Sequence, residues 1–190
     1  MDGTLTIAVH DFDAIRNTLG IIEGRPILEA IEELPEQQAT RKMEELFEIE
    51  MQIATKAKEQ PGAGELLHQL TSRGCTLGIL SRNGCEIAVE TLKAAGLLSF
   101  FDQSTILGRE SCAPKPDPAG IHHHLSAWQA VPSATVMVGD YKFDLESGYR
   151  AGVHTVHLDV DNGELWPEMT TVRVSSLNEL KELASDQSRQ

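Results

Sequence analysis

From residue 61 onward, short apolar runs alternate with amphipathic helical stretches. Gly62 to Ser72 sets Leu66, Leu67 and Leu70 on one face, the spacing of a helix that covers a core. Cys75-Thr-Leu-Gly-Ile-Leu80 is apolar but too short for such a helix, and it reads as a buried strand. The alternation then repeats. A helix over Glu86 to Ala95 is closed by Gly96, and 104–107 is a short strand. Asp117 to Trp128 is a helix with Pro118 near its first turn, and Ala134 to Val138 is a strand. Asp144 to Ala151 is a helix ended by Gly152, and His154 to Leu158 is a strand. A short edge strand over 171–174 and a helix over Leu177 to Ala184 complete the pattern. Buried runs that alternate with helices predict an α/β fold, a Rossmann-like parallel sheet covered on both faces.

Residues 13–60 break this rhythm and hold no strand signal. Ala39 to Lys58 places Met43, Leu46, Phe47, Met51 and Ala54 at helical spacing, with Glu44, Glu45 and Glu48 on the outer face. Gly20, Pro26, Pro35 and Pro61 punctuate the segment. It is expected to be an all-helical insertion of two or three helices. The α/β core then comprises 1–12 and 61–190. The polar tail, 185–190, is expected to fray.

A chain of 190 residues with 41% hydrophobic content suits one domain carrying a small insertion. Charge narrows the possible partners. Lys and Arg total 16 against 29 Asp and Glu, a formal charge of -13. Such a chain has little with which to neutralise a phosphate backbone, so nucleic acid is not an expected partner. A carboxylate-rich metal site remains compatible. No apolar run approaches the roughly 20 residues that span a bilayer, and the polar, acidic N-terminus is not a signal peptide. Cys75, Cys85 and Cys112 form an odd set without C-x-x-C spacing, which predicts a reduced, cytoplasmic protein.

Candidate chemistry lies in four short segments, three of them at the C-terminal end of an expected strand, where open parallel sheets bind ligands. The first is Asp2-Gly3-Thr4, by itself only a turn. The second is Ser81-Arg82-Asn83, whose hydroxyl and backbone N–H groups suit a phosphate oxygen or, alternatively, cap the next helix. The third is Pro114-Lys115-Pro116, where flanking prolines hold an ammonium in an extended loop. That lysine either balances anions or is simply exposed. The fourth is Gly139-Asp140 with Asp144 four residues on. Two acids so close repel unless a cation joins them, and hard carboxylate oxygens suit Mg²⁺. A capping Asp and a surface Asp would be the plainer reading. His122-His123-His124 cannot converge on one ion, because adjacent helical side chains point about 100° apart.

Taken in order, Asp-Gly-Thr, strand-Ser, Pro-Lys-Pro and strand-Gly-Asp-x-x-x-Asp resemble the haloacid dehalogenase-like hydrolase superfamily. The likeness is closest to phosphoglycolate-phosphatase-like members with a helical cap, and it spans nearly the whole chain. It implies a Mg²⁺-dependent phosphatase of a small phosphorylated metabolite, acting through an aspartyl-phosphate. By resemblance, Asp2 matches the second aspartate of D-x-D-G-T, a general acid and base whose backbone carbonyl touches the metal. Gly3 and Thr4 complete that motif beside the phosphate. Ser81, with Arg82 and Asn83 after it, matches the phosphoryl-binding segment, and Lys115 the lysine that stabilises nucleophile and phosphate. Asp140 matches the acidic metal ligand and Asp144 its supporting carboxylate. Residues 13–60 match the cap.

The chain departs from the family at one place. The nucleophilic aspartate would fall immediately ahead of Met1, and the apolar strand that leads into it would be absent as well. The expectation is that Met1 is an internal residue of a longer protein. The competing explanations are a phosphoryl-binding or regulatory protein without catalysis and a phosphomutase on the same scaffold. A sheet built from these residues alone should show a gap or a rearrangement beside the strand ending at Val138.

Overall fold

The computed structural model describes residues 1–186, with side chains to Ser185; of the tail expected to fray, 185 and 186 instead end a helix, and 187–190 lie outside the described residues. The insertion comes first in the chain. It holds α1 (Phe12–Leu19), α2 (Ile27–Glu32) and α3 (Glu36–Ala54). Ile15, Leu19, Leu28, Ile31 and Leu46 form a small core of its own. Two short segments connect it to the rest of the molecule. Ile7 N donates to Lys58 O at 3.0 Å, and Gln60 N donates to Leu5 O at 2.8 Å, so the outgoing and returning strands cross over side by side. On α3 the buried line is Leu46, Glu50 and Ala54, while Met43, Phe47 and Met51 are only half-buried. The expected apolar stripe therefore turns partly outward, and an acid occupies the inner face.

The α/β part follows the predicted order. It runs α4 (Ala63–Ser72), β1 (Ile79–Leu80), α5 (Cys85–Ala94), β2 (Ile106–Leu107), α6 (Ala119–Trp128), β3 (Val136–Gly139), α7 (Lys142–Ala151), β4 (His154–Leu158), β5 (Val172–Val174) and α8 (Leu177–Asp186). All paired strands are parallel. Helices cover both faces. On one, Leu66 and Leu67 of α4, Leu92 of α5 and Leu177 of α8 close over Ile79, Val156 and Val174. On the other, Ile121 and Leu125 of α6 and Ala151 of α7 close over Leu80 and Leu107.

The sheet is in two parts. β1 pairs with β2 alone, and β3, β4 and β5 form a separate three-stranded sheet in that order. The break falls beside β3, where the sequence led us to expect a gap or a rearrangement. A cavity of about 610 Å³ lies in the break, with Ile79 and Leu80 on one side and Val136 and Val138 on the other. β1 pairs on one side only, and of the 75–80 run only Ile79 and Leu80 are paired.

Candidate active site

The site gathers where β1 and β3 end. The N-terminal segment folds into a turn in which Met1 O accepts from Thr4 N at 3.1 Å and from Leu5 N at 2.8 Å. Gly3 sits at φ +75°, and a Cβ placed there would come within 2.2 Å of Asp140 Oδ2. Only glycine permits so close an approach of backbone to carboxylate. The buried Thr4 hydroxyl donates to Asp140 Oδ1 at 2.6 Å. Asn83 Nδ2 donates to Asp2 Oδ2 at 2.9 Å. Asp2 and Asp140 are thus held by different strand ends against a single turn.

The segment after β1 corrects one expectation. Neither Ser81 nor Asn83 caps α5. The helix begins after Gly84, and Glu110 Oε1 accepts from its first N–H, that of Cys85, at 2.7 Å. The Asn83 amide is thereby free to hold Asp2. Buried Ser81 accepts from Asn83 N through its Oγ at 3.1 Å, which shapes the loop. Arg82 reaches upward instead. Its Nη2 donates to both oxygens of Glu29 at 2.8 Å, its Nη1 donates to Lys115 O at 2.6 Å, and the guanidinium lies 4.8 Å from the Phe143 ring centroid.

Lys115 is buried, not an exposed loop lysine, and its ammonium pairs with Asp144. The other Asp144 oxygen accepts from Tyr141 N at 3.2 Å. Asp144 therefore has both oxygens engaged and acts as the partner of Lys115. Gly139 makes room for it, since a Cβ there would fall 2.1 Å from Asp144 Cβ. Burial pushes the Asp144 carboxyl up, but the Lys115 charge, the Met1 ammonium and hydrogen bonds from Lys115 and Tyr141 together bring it below the ordinary carboxylate range. Asp140 moves the other way. Burial, and then the charge of Asp144, raise it above the ordinary value against the opposing pull of the Met1 ammonium and the Thr4 hydroxyl.

Among the described residues, no three Asp, Glu, His or Cys side chains stand together as a ready metal cluster. The donor set still fits Mg²⁺, which takes one or two carboxylates and keeps water or phosphate oxygens for the rest. Asp140 is a carboxylate burdened by burial and a like charge, a burden that a cation relieves. Asp2 stands on the adjoining turn, where its backbone carbonyl would add a second oxygen donor. The three adjacent histidines do not converge. His124 is buried, stacks on Trp128 at 4.6 Å and lies 3.2 Å from Ile79 O through its Nε2, while His122 and His123 are exposed.

Three charged residues escaped the sequence reading. Glu29 of α2 joins Arg82, and Glu50 of α3 pairs with Arg109 of the loop after β2. These two pairs bind the insertion to the core beside the strand ends. Glu50 and Arg109 are nearly closed off from solvent, at 8% and 13% side-chain exposure. Burial raises the Glu50 carboxyl, Arg109 opposes the rise, and the nearby charge of Asp2 adds to it. The available signal was Glu50 itself, an acid in register with Leu46 and Ala54.

The chain is similar to several known proteins. A family model described as haloacid dehalogenase-like hydrolase matches residues 12–158. A haloacid dehalogenase-like hydrolase domain-containing protein of Arabidopsis thaliana is 32% identical over 202 residues, covering 96% of this chain and 80% of its own. A pyrophosphatase of Listeria monocytogenes is 36% identical over 93 residues, covering 49% of this chain and 42% of its own. A solved hydrolase from Pseudomonas syringae superposes with a TM-score of 0.79 at 21% identity, over 97% of this chain and 95% of that one.

Proposed function

The chain belongs to the haloacid dehalogenase-like hydrolases, and from that premise we propose that it is the body of a Mg²⁺-dependent phosphatase acting on a small phosphorylated metabolite. The observation that carries this reading is the meeting of Asp2, Asp140 and the Lys115–Asp144 pair around one turn at the sheet's end. The similarity to a pyrophosphatase over half the chain supports a phosphoryl substrate.

In this reading Asp140 and the Asp2 backbone carbonyl hold the metal, which supplies charge neutralisation for the phosphoryl oxygens when bound. Asp2, oriented by Asn83, protonates the leaving oxygen and later takes a proton from water. Ser81 and Lys115 hold the equatorial oxygens, the electrostatic share of phosphoryl transfer. In the motif that the chain resembles, the attacking carboxylate stands two residues ahead of the position of Asp2 and would form the aspartyl-phosphate. Residues 13–60 close over the substrate and exclude water. The three cysteines are free, which supports a reducing, cytoplasmic setting. No described helix is long and apolar enough to cross a membrane.

A second reading keeps the same site in a protein that binds phosphoryl groups without turning them over. Calorimetric titration of Mg²⁺ in the presence of inorganic phosphate tests the shared site. Wild type should take up one Mg²⁺, and Asp140→Asn should bind it about tenfold or more weakly, a change of roughly 1.4 kcal/mol. Equal binding by both proteins would remove the site.

A further inference from the structure

We propose that the Tyr141 ring is a stacking platform for the organic part of the substrate, and that this part ends in a flat heterocycle, as in a nucleoside 5′-monophosphate. The inference rests on the phosphatase reading and names the substrate class for that site.

Tyr141 follows Asp140 directly, and its backbone N–H donates to Asp144 Oδ2 at 3.2 Å. That bond needs only the backbone, so the fold leaves the side chain free for other use. Positions just ahead of a helix favour Ser, Thr, Asp or Asn, whose short side chains cap it. An aromatic ring is not among them. Yet Tyr141 is 54% exposed, one position from the carboxylate that would hold the metal.

The ring is held in place. Phe143 stands against it at 5.2 Å between centroids and 87° between planes, and Trp166 at 5.8 Å and 76°. Both are edge-to-face contacts, which the aromatic quadrupole favours. Trp166 is itself buried and leans on buried His157 at 5.1 Å. Phe143 carries the Arg82 guanidinium at 4.8 Å from its centroid. By contrast, Tyr149 of α7 is 62% exposed and meets no other ring among the described residues. Tyr149 is an ordinary surface tyrosine, whereas Tyr141 is a positioned one. A ring already fixed loses little freedom when a ligand stacks on it.

These contacts form a row that ends at the insertion. Trp166 begins it, Tyr141 and Phe143 continue it, and Arg82 closes it by donating to Lys115 O and to Glu29 of α2. A phosphoryl group held by Asp140 and Lys115 lies beside this row. In a nucleoside 5′-monophosphate the base stands one sugar ring away from the phosphorus, a span comparable to a tyrosine side chain.

Two further observations favour a heterocycle. Trp166 Nε1, in the same cluster, is buried and has no hydrogen-bond partner among the described residues. A buried unpaired donor is costly, and a heterocycle brings acceptor nitrogens and oxygens that a phenyl or alkyl group lacks. The chain also carries a formal charge of -13. Stacking of a neutral base adds no negative charge to the site, whereas a second acidic group on the substrate would.

Calorimetric titration of the 190-residue protein with Mg²⁺ present tests this, using inorganic phosphate, ribose 5-phosphate and adenosine 5′-monophosphate. Wild type should bind the nucleotide about tenfold or more tightly than ribose 5-phosphate. Tyr141→Ala should bring those two ligands within about twofold and leave inorganic phosphate binding unchanged. Tyr141→Phe should keep the wild-type preference. Equal binding of nucleotide and ribose 5-phosphate by wild type, with phosphate bound, would overturn this inference alone. So would a preference that survives Tyr141→Ala, or a Tyr141→Ala protein that weakens all three ligands alike. No binding of inorganic phosphate by wild type would overturn the phosphatase reading and this inference with it.

Discussion

The Thr4 hydroxyl donates to Asp140 Oδ1 at 2.6 Å and so ties the N-terminal turn to the end of β3 across 136 positions of sequence. This contact sets Asp2 and Asp140 on adjoining backbone, and Gly3 between Asp2 and Thr4 makes the approach sterically possible.

Gly3→Ala should therefore be costly twice over. The residue keeps φ near +75°, and the new methyl meets the Asp140 carboxylate. A loss of about 1–3 kcal/mol is expected from strain of this kind, before any cost of moving Asp140. Urea unfolding checks it, as a lower midpoint at unchanged slope.

The Lys115–Asp144 pair is buried on both sides, so removing one partner strands a charge. Lys115→Met alone should lose about 3–5 kcal/mol, and Lys115→Met with Asp144→Asn should lose clearly less. The four-protein cycle by urea unfolding measures the difference. Additive losses would mean that the two side chains act independently.

The two pairs that join the insertion to the core should differ in strength. Glu29 is 44% exposed, so Glu29→Ala should cost below about 1 kcal/mol despite its good geometry. Arg109→Ala leaves Glu50 unpaired in a closed environment and should cost about 3–5 kcal/mol. Thermal unfolding of both variants ranks them directly.

The two aspartates after β3 pull the pH profile in opposite directions. Asp140 has a raised folded pKa, so its contribution is fully present below the unfolded value and is lost as pH rises through the folded one. Asp144 has a lowered folded pKa, so its contribution is present above the unfolded value and is lost as pH falls through the folded one. At neutral pH, Asp140→Asn should be more stable than wild type, and Asp144→Asn less stable. The Asp140 difference should shrink as pH falls through its raised folded value towards the unfolded one of about 3.9, and the Asp144 difference should shrink only as pH falls below that unfolded value. Urea midpoints across that range give the sign of each.

Much of the α/β order was legible because its cues are local. Apolar runs such as His154 to Leu158 and glycine stops such as Gly152 act within a few residues, and the observed elements begin and end close to them. What stayed hidden depends on partners distant in sequence. Asn83 looked like a cap, because the sequence does not show Glu110 taking the first amide of α5. Glu50 meets its partner Arg109 across 59 positions, a pairing that no local cue marks. Lys115 could have been exposed, and only the fold places Asp144 beneath it.

The central claim is hydrolysis of a phosphate ester at the turn formed by Asp2, Thr4 and Asp140. The most direct measurement is Mg²⁺-dependent release of p-nitrophenol from p-nitrophenyl phosphate by the chain extended ahead of Met1 with an apolar strand ending in aspartate. The account predicts turnover that needs Mg²⁺ and falls by about 1,000-fold or more when that aspartate is asparagine or when Asp140→Asn is introduced, a loss of roughly 4 kcal/mol. An extended chain that folds with a raised Tm and still shows no Mg²⁺-dependent turnover would contradict it.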